Sequence, residues 1–280
     1  MSEKGKRKLA DRPSDRSSKR RKGGGKWRKQ MAAQSGRTTI ENGDSGVFLT
    51  CDMGKESKCL AEAIDLFTQS TEASRGDQGS PDVESEEDGV DDIEAQIKKE
   101  VEGLQPKSAT PRLFQAIKLD IPCLSFIRVD KSIDPVQLVH GLCLDAQANP
   151  DQKKSRWIKR MTPVTSIRKT LKVDLSEFAK EILQPHFHAG GGPKKYAIRP
   201  TIRNNEQFNR DDIIKTVADA VGTEHSVDLK NYDLMILVDV FQNVIGMSVV
   251  GSDYDKLKRF NLAEIYSPTP KPQASRQPEA

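Results

Sequence analysis

From residue 46 onward, short apolar runs alternate with amphipathic stretches along the chain. Val47-Phe48-Leu49-Thr50-Cys51 is β-prone, whereas Leu60, Ala61, Ile64, Leu66 and Phe67 recur at helical rather than alternating spacing across residues 58–69. Residues 70–89 are polar and acidic and read as a solvated insertion; residues 91–104 have the pattern of a charged helix. Two strand-like segments, 114–119 and 124–129, flank Asp120-Ile121-Pro122, where proline blocks a continuous ladder and favours a turn. Asp134-Pro135 supplies an N-cap and first turn for a helix carrying Val136, Leu138, Val139, Leu142 and Leu144, which fades near Asn149-Pro150. One further strand is expected over residues 158–167. The order is then β-α-β-β-α-β, the ferredoxin-like pattern, with the acidic insertion between its first helix and second strand.

A second unit follows. Residues 174–187 place Leu175, Phe178, Ala179, Ile182 and Leu183 on one helical face, and Ala189-Gly190-Gly191-Gly192-Pro193 is a break. Residues 194–203 read as a strand in which cations are interleaved with Tyr196, Ile198 and Ile202. An amphipathic helix over residues 210–221 carries Ile213, Ile214, Val217 and Val221, starts at Asn209 or at Asp211-Asp212, and ends at Gly222. The most apolar runs, 235–241 and 245–250, are joined by Gln242-Asn243 and look like central strands of an α/β layer. A short helix is expected over residues 257–265.

Composition changes the picture at the ends. Only 35% of the 280 residues are hydrophobic and 5% aromatic, against 31% charged, so part of the chain is expected to stay solvated. A net charge of +4 hides segregation: the first forty residues are crowded with Lys and Arg, whereas residues 82–102 are dominated by Asp and Glu. Residues 1–45 are expected to form a disordered basic tail, because burial cannot offset the entropy of ordering them. Within it, Lys6, Arg7 and Lys8, then Lys19, Arg20, Arg21 and Lys22, are spaced as a bipartite nuclear import signal; a general polyanion-binding tail is the other reading. No apolar run approaches the roughly twenty residues that a membrane-spanning helix requires, so no membrane partner is expected. Cys51, Cys59, Cys123 and Cys143 form no CxxC pair, and they are read as reduced intracellular thiols.

Several short segments occur in one order: Tyr196-x-Ile198, Arg203-Asn204, the helix over 210–221, His225-x-Val227-Asp228-Leu229, the apolar strand over 236–240, Gly246-x-Ser248-Val249-Val250 and Arg259-Phe260-Asn261-Leu262-x-Glu264. Together they resemble the THUMP domain of eukaryotic tRNA-acetylation adaptors, and the preceding half resembles the ferredoxin-like domain that accompanies it. The resulting expectation is an α+β chain: a basic tail (1–45), a ferredoxin-like domain (46–170) with an acidic insertion (70–112), a THUMP α/β domain (171–255), a C-terminal helix (256–266) and a Pro-rich disordered tail (267–280). The resemblance implies a non-catalytic, nuclear and nucleolar adaptor. Such an adaptor binds serine and leucine tRNAs and partners an RNA cytidine acetyltransferase that forms N4-acetylcytidine in the D-arm. A ribosome-biogenesis or RNA-processing scaffold without that partner is the alternative, and a small RNA-modifying enzyme is a third.

Two basic segments are candidates for RNA. In the first, Lys194, Lys195, Arg199 and Arg203 accompany a possible stacking ring at Tyr196; alternation puts Lys195, Ala197 and Arg199 on one strand face, with Pro200 able to disturb the register. Arg suits phosphate because its planar fork donates paired hydrogen bonds; the competing reading is a solvated edge strand. In the second, Lys153-Lys154-Ser155-Arg156-Trp157-Ile158-Lys159-Arg160 resembles the Arg-rich segment that precedes THUMP domains. That resemblance transfers Arg156, Lys159 and Arg160 as RNA contacts, while Trp157 either stacks on a base or packs between domains. Arg210 lies at a helix start, but Asp211 and Asp212 oppose an anion there. No cofactor is expected, since Gly190-Gly191-Gly192 leads from a helix into a strand, the reverse of the dinucleotide-binding order. No metal site is expected either: His186-x-His188 has no completing ligands nearby, and His225 reads as a turn or cap contact.

Overall fold

The computed structural model describes residues 39–76 and 113–268. Both Lys/Arg clusters of the basic tail, most of the acidic insertion with its expected helix at 91–104, and the tail from residue 269 lie outside the described residues.

The first layer contains β1 (Ser45–Thr50), α1 (Glu56–Gly76), β2 (Phe114–Lys118), β3 (Leu124–Val129), α2 (Pro135–Ala148) and β4 (Arg160–Val164). Its strands form an antiparallel sheet in the order β2-β3-β1-β4. Pleating sorts the side chains of β1: Val47 and Leu49, with Cys51 just beyond the strand, join the core with residues of α1 and α2, while Phe48 points to the opposite side. Asp134 caps α2 by accepting from the Val136 amide at 2.8 Å, with Pro135 in the first turn. Helix α1 continues past Gln69 to Gly76; Thr68 and Thr71 turn their hydroxyls back onto the carbonyls of Ile64 and Phe67. The polar sequence from residue 70 therefore begins as helix, because an exposed helical face accepts polar residues as readily as a loop does.

The second sheet contains β5 (Ser166–Lys169), β6 (Lys195–Arg203), β7 (Ser226–Val227), β8 (Leu234–Phe241) and β9 (Val244–Gly251), in the order β5-β9-β8-β6-β7. Pairs β6–β7 and β6–β8 are parallel; the others are antiparallel. Helices α3 (Leu175–Leu183) and α4 (Arg210–Val221) supply Phe178, Ile182, Ile213 and Val217 to a core with Tyr196, Ile236, Val238 and Val240. The alternate residues of β8, Met235 and Leu237, belong to the first core instead. Both faces of the central strand are thus buried, as its unbroken apolar run requires.

The single strand expected over residues 158–167 is two strands in different sheets. Strand β4 pairs with β1 as far as Val164↔Gly46, one residue short of the first residue of β1. The Thr165 amide then donates to the Met247 carbonyl at 3.0 Å, and β5 pairs with β9 from Ser166 onward. A short third cluster closes the space between the sheets. In it Phe48 lies 4.9 Å from Phe126 and 4.8 Å from Phe241, centroid to centroid.

The helix expected over 257–265 is also broken. Lys258, Arg259 and Phe260 have φ of 53°, 59° and 56°, and only α5 (Leu262–Tyr266), capped by Asn261, is regular. Left-handed backbone costs about 1–2 kcal/mol per residue, which is offset here by burial of Leu257, Phe260 and Leu262 in the first core.

Candidate nucleic-acid interface

Strand β6 carries the first basic segment. The carbonyls of Lys194 and Tyr196 accept from Ser226 and Asp228 on the β7 side. Pro200 shares their parity, so its missing N–H faces the edge that β7 leaves open beyond Tyr196. The face expected to be basic is so only in part: Ala197 is buried in the first core, Arg199 is half-buried, and Lys195 and Arg203 are exposed. The reason is that this face of the second sheet turns toward the first layer.

That burial creates the most unusual electrostatic feature of the protein. Asp239, on β8 directly across from Thr201, is 5% exposed. Burial pushes its carboxyl up to about 7, against the opposing pull of the Thr201 hydroxyl and the guanidinium groups of Arg199, Arg203 and Arg160. Arg199 and Arg203 come from β6, where they sit across from Leu237 and Phe241. Arg160 comes from the start of β4, held by its amide on the Thr50 hydroxyl at 3.1 Å and by a bridge to Asn261. Among the described residues none of these three side chains forms an ion pair, and the buried Nε of Arg160 has no hydrogen-bond partner. Three guanidinium groups around one partly neutralised carboxylate leave donors available to an incoming anion.

The second basic segment separates rather than clusters. Lys159 pairs with Asp52. Arg156 lies over the Trp157 ring, 4.7 Å from its centroid. The loop itself is fixed by Glu62 of α1, whose carboxylate accepts from the Ser155 hydroxyl at 2.6 Å, from the Arg156 and Trp157 amides at 3.0 Å, and from the Ile158 amide at 3.3 Å. Lys194 donates to the His186 carbonyl at 2.6 Å, and Lys195 meets Asp228 at 3.3 Å. Arg210 is exposed at the first residue of α4, beside Asp211 and Asp212. Of the eight candidates, the structure gathers Arg160, Arg199 and Arg203. Asp239 and Glu62 escaped sequence reasoning; a lone acid inside the apolar run of β8 was a usable signal for the first, but nothing marked the second.

His225 accepts from the Lys194 amide at 3.1 Å and bonds the Phe187 carbonyl at 3.2 Å, tying the turn after α3 to the start of β6. Among the described residues no group of three or more His, Cys, Asp or Glu could hold a metal ion. The four cysteines are free, and burial pushes the Cys143 thiol up to about 12.

Residues 172–250 match the family model of the THUMP domain. An uncharacterised Schizosaccharomyces pombe protein is 40% identical over 231 residues, covering 82% of this chain and 78% of its own. The Saccharomyces cerevisiae protein named tRNA acetyltransferase TAN1 is 33% identical over 264 residues, covering 85% of this chain and 90% of its own. The chain belongs to the TAN1 family of THUMP-domain proteins. Human THUMP domain-containing protein 1 is 32% identical over 236 residues, which cover 81% of this chain and 65% of the human one. In this TAN1-family chain the matched domain holds Arg199, Arg203 and Asp239, whereas Arg160 precedes it. The cluster is therefore shared between the THUMP domain and the layer before it.

Proposed function

We propose that this protein is a non-catalytic tRNA-binding adaptor that presents serine and leucine tRNAs to an RNA cytidine acetyltransferase, which forms N4-acetylcytidine in the D-arm. The convergence of Arg160, Arg199 and Arg203 on Asp239 carries the RNA-binding part: it supplies unpaired guanidinium donors at the seam of the two layers. Kinship with the yeast protein named tRNA acetyltransferase TAN1 supports the link to tRNA acetylation. In this reading the first layer, with its βαββαβ order, is the ferredoxin-like partner of the THUMP domain, and Lys6, Arg7, Lys8, Lys19, Arg20, Arg21 and Lys22 direct nuclear and nucleolar localisation. Replacing Arg160, Arg199 and Arg203 together by Gln should weaken binding of a serine tRNA transcript and lower the slope of log affinity against log salt by about 0.7–0.9 for each phosphate no longer neutralised. The same variant should fail to support N4-acetylcytidine formation in cells lacking the wild-type chain. Unchanged affinity and acetylation in that variant would remove the surface, and acetyl transfer by the purified chain alone would remove the adaptor.

A further inference from the structure

Outside the arginine cluster, the first layer carries a second arrangement of cations that no ion pair among the described residues accounts for. The Nζ atoms of Lys55 and Lys58 lie 5.3 and 5.1 Å from the centroid of the Trp157 ring, and the Arg156 guanidinium carbon lies 4.7 Å from it. None of the three makes a salt bridge among the described residues. The Glu62 carboxylate, bonded to the Arg156 and Trp157 amides, and Asp65 lie nearby, yet no ion pair holds the three cations, and an aromatic face stabilises them little at a solvent-exposed site. The indole they surround is half-buried and opens onto a cleft of about 480 Å³ lined by Lys58, Glu62, Asp65, Leu66 and Lys154.

We infer that Lys55, Lys58, Arg156 and Trp157 form a second RNA contact, which takes an unpaired nucleotide with its base against the indole and its phosphates on the two lysines. This inference rests on the tRNA-binding reading. Single-stranded RNA is recognised by stacking on aromatic rings and Arg planes, and these residue types are the ones assembled here. Glu62 accepts from one hydroxyl and three backbone amides, so it fixes the loop that carries the ring, and its oxygens are occupied by donors other than the three cations. Asp65 keeps a phosphate away from the cleft wall, which leaves that space to the base. Trp157 and Arg160 are three residues apart, at most roughly 10 Å of extended chain, so one RNA can engage both sites.

The chain has two tryptophans, Trp27 and Trp157, so Trp27→Phe leaves Trp157 as the reporter in the otherwise full chain. Titration with a mixed-sequence single strand of about ten nucleotides, and with a serine tRNA transcript, should quench its fluorescence. Trp157→Leu should lower affinity for the single strand about tenfold, and Trp157→Tyr, which keeps a stacking ring, should retain most of it. Lys55→Gln with Lys58→Gln, neither of them a buried position, should reduce the salt slope by about 0.7 for each phosphate released without altering the thermal melt. An unquenched Trp157 and unchanged affinity in the double lysine variant, alongside tRNA binding abolished in the Arg160, Arg199 and Arg203 variant, would end this inference and leave the arginine surface standing. Absence of tRNA binding by the wild-type chain would end both.

Discussion

A buried carboxylate that titrates near neutrality makes Asp239 a residue with two pH signatures. Its folded pKa is raised from 3.8 to about 7, so between those values the folded state holds a proton that the unfolded state has released. Its contribution to stability therefore declines as pH rises through that window, by on the order of a few kcal/mol at most. Asp239→Asn, which keeps the shape and a hydrogen bond for Thr201, should raise the melting temperature more at pH 8 than at pH 5; an equal shift at both would mean that the carboxylate is not desolvated. RNA should respond in the same direction. Neutral Asp239 removes one of the carboxylates that offset the arginine field, Asp255 near Arg199 being another, so tRNA affinity should rise from pH 8 to pH 6 in the wild type and change less over that range in Asp239→Asn. Glu62 offers a simpler case. Glu62→Ala orphans three amides at once and should destabilise the fold by about 2–3 kcal/mol in urea titrations, more than an ordinary surface substitution. Wild-type stability in that variant would show that the loop is held by packing alone.

At the scale of elements, the decisive contact is between sheets. A Cβ placed on Gly246 would come within 2.7 Å of Val164 Cγ1, and Gly246 sits directly across from Asp239. Strand β4 can lie this close to β9 only because that position lacks a side chain. Gly246→Ala should cost about 1–3 kcal/mol, read as a lower urea midpoint, and should also weaken tRNA binding by displacing Arg160; full tRNA affinity in a destabilised variant would separate packing from the site. Much of the element order was legible in the chain. The β8–β9 hairpin, α2 with its Asp134 cap and α4 with its Asn209 cap all follow from local periodicity and turn chemistry. The division at Thr165 was not legible, because residues 158–167 alternate well enough for one strand and the change of partner depends on where pairing with β1 stops. The break at Lys258–Phe260 was hidden for a similar reason: no glycine marks it, and the distant first core stabilises it. At the site the arginines could be read from the sequence; Asp239 was marked there only as a lone acid in an apolar run, and its place beside Thr201 was hidden because it depends on the parallel register of β6 and β8.

Across the whole of the described structure, the two sheets do not own separate cores. Tyr232, Met235, Leu237, Val250, Tyr254, Phe260 and Leu262 bury themselves with Val47, Leu49 and Val139 of the first layer, and a His140–Asp253 contact of 2.5 Å ties α2 to the end of β9. Unfolding in urea should therefore be a single cooperative event, with Trp157 fluorescence in a Trp27→Phe background and far-ultraviolet circular dichroism giving the same midpoint; two resolved midpoints would contradict the shared core. The strand that changes sheets at Thr165 also bears on modularity. The segment recognised as a THUMP domain begins at residue 172, beyond β5, so excising it would strip the outer strand from β9 and leave Met235, Leu237 and Val250 facing water. In this chain the segment matched as a THUMP domain is smaller than the set of strands that shares one core, so a fragment beginning at residue 172 should unfold at a lower urea concentration than the full chain.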